Sequence, residues 1–116
     1  MVKNVLANKT IRVIKNDGTQ FIDASYLAKI YSSILNSNVN RNMYFGLGNE
    51  FITWETIAME ILKLTGSKSK LVTENLGWPD KPALFDVEAI ERDFSYKFDS
   101  WGKIVDHLKY LISIYN

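Results

Sequence analysis

A chain of 116 residues has room for one domain and not for two. Fourteen Lys and Arg against thirteen Asp and Glu leave a formal charge of +1, without the basic excess that a nucleic-acid binder needs. With no cysteine and a single histidine, disulfide frameworks, thiolate zinc sites and cysteine nucleophiles are excluded, and no apolar run nears the roughly 20 residues of a membrane helix.

The opening residues, Met1 to Lys9, are too polar and too short for a signal-peptide core, so the cytoplasm is the expected compartment. Residues 10–14 (Thr-Ile-Arg-Val-Ile) alternate and are β-branched, which predicts a strand. Asn16-Asp17-Gly18 follows as a tight-turn signal, and Phe21-Ile22 becomes the return strand of a hairpin. From Ala24 the period changes. Leu27, Ile30, Tyr31, Ile34 and Leu35 give one apolar helical face, with Asp23 or Ser25 as the cap. The Asn- and Ser-rich residues 36–42 form a loop.

Met43-Tyr44-Phe45 is predicted as a short buried strand leaving through the turn Gly46-Leu47-Gly48-Asn49. Thr53 then caps a helix whose inner face is Trp54, Ile57, Ala58, Ile61 and Leu62; Glu55 favours its N-terminal dipole and Gly66 stops it. Residues 70–73 suit a strand, whereas Pro79 and Pro82 forbid a regular element around Trp78. Asp86 caps a short helix with Val87, Ile90 and Phe94. Ser100 caps a long one with Trp101, Ile104, Val105, Leu108, Leu111, Ile112 and Tyr115 on one stripe. The expected class is α/β: a small mixed sheet or hairpin with about four helices, laid out like part of a larger body.

These segments, in this order, resemble the C-terminal half of extended short-chain dehydrogenase/reductases, the NAD-dependent epimerase/dehydratase family. The resemblance runs from Ile11–Gly18 through Phe21-Ile22 and Leu27-Ala28-Lys29. It continues in Gly46-Leu47-Gly48-Asn49-Glu50 with Thr53–Ala58, and in Gly66-Ser67-Lys68. It ends in Asp86, Ile90, Arg92 and Phe94, with Ser95 where the family has glycine, and in the closing helix. It implies a C-terminal piece of a Rossmann-type fold, a single substrate-side domain over residues 1–116. Residues 1–7 look like the back half of a family helix, and one strand and helix look like extensions of the missing Rossmann sheet.

The family's chemistry has no counterpart here. Gly46-x-Gly48 lacks the third glycine of a dinucleotide turn, since Phe51 stands there. The family's Tyr-x-x-x-Lys pair, in which an ammonium lowers a phenol's pKa, is also absent: four residues after Tyr26, Tyr31, Tyr44, Tyr96 and Tyr110 stand Ile30, Leu35, Gly48, Ser100 and Ile114. His107 beside Asp106 reads as a solvated pair. The resemblance therefore implies no catalytic residue, no metal and no cofactor on this chain, with NAD or NADP held elsewhere in a parent enzyme.

What it implies for substrate is a nucleotide-sugar or related molecule touched by six residues. Thr19, Gln20 and Phe21 align with the family's Arg-Asp-Phe, so the guanidinium fork that would grip a phosphate or base is replaced. Lys81 stands in for an arginine near the pyrophosphate. Trp78 either stacks on a ring or plugs the core, and Tyr44 either faces a pocket or packs. Self-association through apolar faces left open by the missing half is expected. The competing expectation is a standalone, non-enzymatic α/β module that binds a small ligand or a partner protein.

Overall fold

The computed structural model describes residues 1–38 and 43–116; the predicted 36–42 loop lies partly outside them. Five helices and two two-stranded sheets give a mixed α/β fold among the described residues. The described residues gather into two compact units. One holds Met1–Thr19, Ile52–Pro82 and Trp101–Asn116; the other holds Gln20–Phe51 and Ala83–Ser100.

In the first unit, α1 (Val2–Leu6) buries Val2 and Val5. Strand β1 (Ile11–Ile14) buries Ile11 and Val13, so Arg12 and Ile14 share the opposite face. Its partner is β4 (Leu71–Glu74), parallel, with Ile11 opposite Leu71 and Ile14 opposite Glu74. Parallel strands need a crossover, which here contains α3 (Trp54–Thr65), packed on both strands.

The predicted hairpin does not form. Strand β2 (Gly18–Thr19) pairs antiparallel with β3 (Ile52–Thr53), and Phe21-Ile22 belong to no strand. A two-residue hairpin turn on Asp-Gly needs positive φ at both residues. Asn16 has it instead (φ 65°), while neither Asp17 nor Gly18 does. The Asp17 N–H turns back to Ile14 O, and Asp17 O accepts from Trp54 N–H, which ties the turn to the start of α3. Gly18 is needed for close approach: a Cβ there would collide with the Ile52 carbonyl.

Helix α3 begins and ends where the sequence places it. Thr53 Oγ1 accepts from Thr56 N–H at 3.1 Å, and Gly66 (φ 62°) closes the helix in the left-handed region. Thr53→Ala should therefore lower stability by about 1 kcal/mol, measured by urea unfolding at unchanged m-value. Ile57, Ala58 and Ile61 form the buried face; Trp54, expected among them, sits in the first turn and is 39% exposed. Ser67 and Ser69 hydroxyls donate to Val5 O, satisfying a carbonyl at the end of α1.

Helix α5 (Ser100–Tyr115) buries Leu108, with Trp101, Ile104, Val105, Leu111 and Ile112 half-buried as the stripe predicts. Tyr115 is exposed, with Lys3 Nζ 4.5 Å above its ring. Ser100 starts the helix, but its hydroxyl donates to Phe21 O at 2.8 Å instead of capping.

In the second unit, α2 (Ala24–Leu35) is capped by Asp23, which accepts from Ser25 N–H. Of its predicted inner face only Ile30 is buried; Tyr31 and Leu35 are exposed. The segment Met43-Tyr44-Phe45 is not a strand, because no strand of this unit lies beside it among the described residues. Helix α4 (Glu88–Phe94) is led by Asp86, whose carboxylate accepts from Glu88 N–H, and closes on Ser95 at φ 59°. A chain of rings links Tyr44, Phe94, Tyr96, Phe98 and Tyr26, ending in the 4.5 Å stack of Phe98 on Tyr26.

Candidate functional site

The six residues expected to touch substrate divide between the units. Thr19, Trp78 and Lys81 belong to the first, and Gln20, Phe21 and Tyr44 to the second.

Gln20 is 5% exposed and its amide is fully engaged. Nε2 donates to Gly48 O at 3.0 Å and to Phe85 O at 3.1 Å, while Oε1 accepts from Phe85 N–H at 2.8 Å. The side chain thus pairs with the Phe85 backbone as a neighbouring strand would, and holds the glycine turn beside it. Phe21 is half-buried, its carbonyl held by Ser100. Tyr44 donates to Asp93 Oδ2 at 2.7 Å and lies 5.5 Å from the Phe94 ring, the packed role with a satisfied hydroxyl.

In the first unit, Thr19 is exposed on β2. Trp78 is 44% exposed, so it does not plug a core. Its loop is pinned by Asn16, whose Nδ2 donates to Trp78 O at 2.8 Å and Asp80 Oδ1 at 2.9 Å. Lys81 is exposed, and no ion pair holds it among the described residues.

Two concavities stand out. One, of about 230 Å³, opens at the carboxyl end of the β1–β4 pair and is lined by Met1, Arg12, Ile14, Asp17, Trp54 and Glu74. The carboxyl ends of parallel strands are where ligands bind in open α/β sheets. The sequence reading missed this cleft. Strand alternation already put Arg12 and Ile14 on one face, but Glu74 joins them only through the parallel register. The other, of about 190 Å³, lies in the second unit and is apolar, lined by Leu27, Ile30, Tyr31, Ile34, Met43 and Tyr44.

Among the described residues no three His, Asp or Glu side chains gather to hold a metal ion. Lys29, three residues after Tyr26, places its ammonium 5.6 Å from the centre of the Tyr96 ring, a cation–π contact. His107 is exposed on α5, its ring 6.3 Å from that of Tyr110. No helix among the described residues is long and apolar enough to cross a membrane. No family model matches the sequence, and neither a curated protein nor a solved structure matches it.

Proposed function

We propose that this chain is the substrate-side, C-terminal portion of an NAD(P)-dependent epimerase/dehydratase-type enzyme and performs no catalysis alone. The observation that carries this reading is the open apolar face of the second unit. Tyr31 is 60% exposed, Leu35 84% and Met43 64%, and Tyr31 and Met43 share one concavity. Exposed apolar residues are ordinary singly; gathered along a concavity, they mark a surface that packs on something. The missing Rossmann half that the family resemblance implies is a body of the kind that would cover this face. The parallel β1–α3–β4 arrangement and the left-handed Ser95, where the family has glycine, also support it.

In such a parent a bound NAD(P) would supply hydride chemistry to a sugar-like substrate, and this chain would help to hold that substrate. Trp78 and Lys81 offer a ring face and a point charge from the pinned loop. Thr19 supplies a hydroxyl in place of a guanidinium, which points to a substrate outside the family's common range. Gln20 acts indirectly, by positioning the Gly48 turn.

An antibody raised against the chain should detect a longer native polypeptide that carries a glycine-rich dinucleotide turn and a Tyr-x-x-x-Lys helix. A native product of these 116 residues alone would overturn the reading and favour the standalone module, for which the self-contained cleft at β1–β4 speaks. The isolated chain should also self-associate in sedimentation velocity, and Leu35→Glu with Met43→Ser should disperse it. A monodisperse wild-type monomer would count against the open face as a packing surface.

A further inference from the structure

The cleft at the carboxyl end of β1 and β4 has a chemistry of its own, and the geometry points to a binding site for a single polyhydroxylated ring, a hexose-type sugar. At about 230 Å³ it falls below the ~300 Å³ at which sites for larger organic ligands begin, so it suits one ring and not a dinucleotide. Trp54 stands in its wall, 39% exposed, an aromatic surface for the apolar face of a sugar.

The polar lining selects among possible rings. Asp17 and Glu74 carboxylates accept hydrogen bonds and cannot donate, while the Arg12 guanidinium donates and cannot accept. None of the three is held in an ion pair among the described residues. A ligand must therefore bring several donors together with acceptors. Each sugar hydroxyl is both, so adjacent hydroxyls satisfy carboxylate and guanidinium in either order, whereas a nucleobase edge carries few donors. Two carboxylates against one guanidinium also repel phosphate, which separates this site from any that grips a pyrophosphate. The fold fixes the spacing: Ile14 and Glu74 face each other in register, Arg12 shares the Ile14 face, and Asp17 is held by its bonds to Ile14 O and Trp54 N–H.

All of these residues lie within one unit of this chain, so the inference stands apart from the parent-enzyme reading. That reading fails on the length of the native polypeptide; this one fails on a sugar titration.

The experiment follows the Trp54 indole N–H in ¹⁵N–¹H correlation spectra while the chain is titrated with methyl glucoside and methyl galactoside. A saturable shift in the millimolar range is expected for at least one of them. Asp17→Asn and Glu74→Gln, which keep size and remove charge, should each weaken binding about tenfold, the scale of a hydrogen bond to a charged group. Trp54→Phe, followed instead through the backbone amide of Glu74 in the same cleft, should retain weaker binding, and Trp54→Ala should lose it with the remaining spectrum intact. Glucose 6-phosphate should bind more weakly than glucose. The proposal is overturned if no sugar gives a saturable shift, if uridine moves Trp54 while sugars do not, or if the phosphorylated sugar binds more tightly.

Discussion

Replacing Gln20 with leucine should destabilise the chain by about 3 kcal/mol, among the largest effects expected from a single change outside the core. Leucine matches the shape and leaves Gly48 O, Phe85 O and Phe85 N–H without partners. The three losses are unequal. Gly48 is buried, so its carbonyl bears the full cost of an unmet acceptor, whereas Phe85 is 57% exposed and water can reach its backbone. For a chain of this size the melting temperature should fall by roughly 10 °C or more, measured by calorimetry.

Gln20→Glu separates hydrogen bonding from packing. Its carboxylate would face the carbonyls of Gly48 and Phe85, which raises its pKa in the native state above the unfolded value. The native state then binds the proton more tightly, so the variant should regain stability as pH falls from neutrality into the carboxylate range. A leucine variant as stable as the parent would show that the amide merely fills space.

Gly18→Ala should cost about 3 kcal/mol through crowding. The added Cβ would collide with the Ile52 carbonyl oxygen and lie 2.7 Å from Thr53 Cα, both backbone, in a ladder of two residue pairs. Neither side can yield without opening the β2–β3 pairing that sets the start of α3. Gly66→Ala is the control. It meets nothing within 4 Å but must hold φ near 62°, a conformational cost of about 1 kcal/mol. Urea unfolding of both variants should rank them in that order, and equal losses would refute the crowding argument.

What the sequence disclosed was what depends on near neighbours. Thr53 and Gly66 mark both ends of α3 because a cap and a left-handed stop act within one turn, and Asp23 works the same way, while Asp86 bonds Glu88 N–H one residue ahead of the Val87 cap. Parallel pairing was illegible: Ile11 meets Leu71 across the chain, and no residue type announces that register. Asp17-Gly18 then suggested a hairpin, because a glycine required for close approach and one required for positive φ are the same letter. Met43-Tyr44-Phe45 has a strand's composition, but a strand exists only beside another. The structural role of Gln20 is not legible in the sequence, because its partners lie 28 and 65 residues away. The Arg12–Glu74 cleft was hidden for the same reason as the sheet that forms it.

The distribution of aromatic side chains has a spectroscopic consequence. All three tryptophans, Trp54, Trp78 and Trp101, fall in the first unit, while the packed rings of Tyr26, Tyr44, Tyr96 and their phenylalanines fall in the second. Indole fluorescence therefore reports on one unit, and tyrosine circular dichroism, dominated by those packed rings over the exposed Tyr110 and Tyr115 of the first unit, reports mainly on the other. The wild-type chain carries its own pair of optical labels. Comparing the two signals along one denaturant titration tells whether the units melt together or in turn.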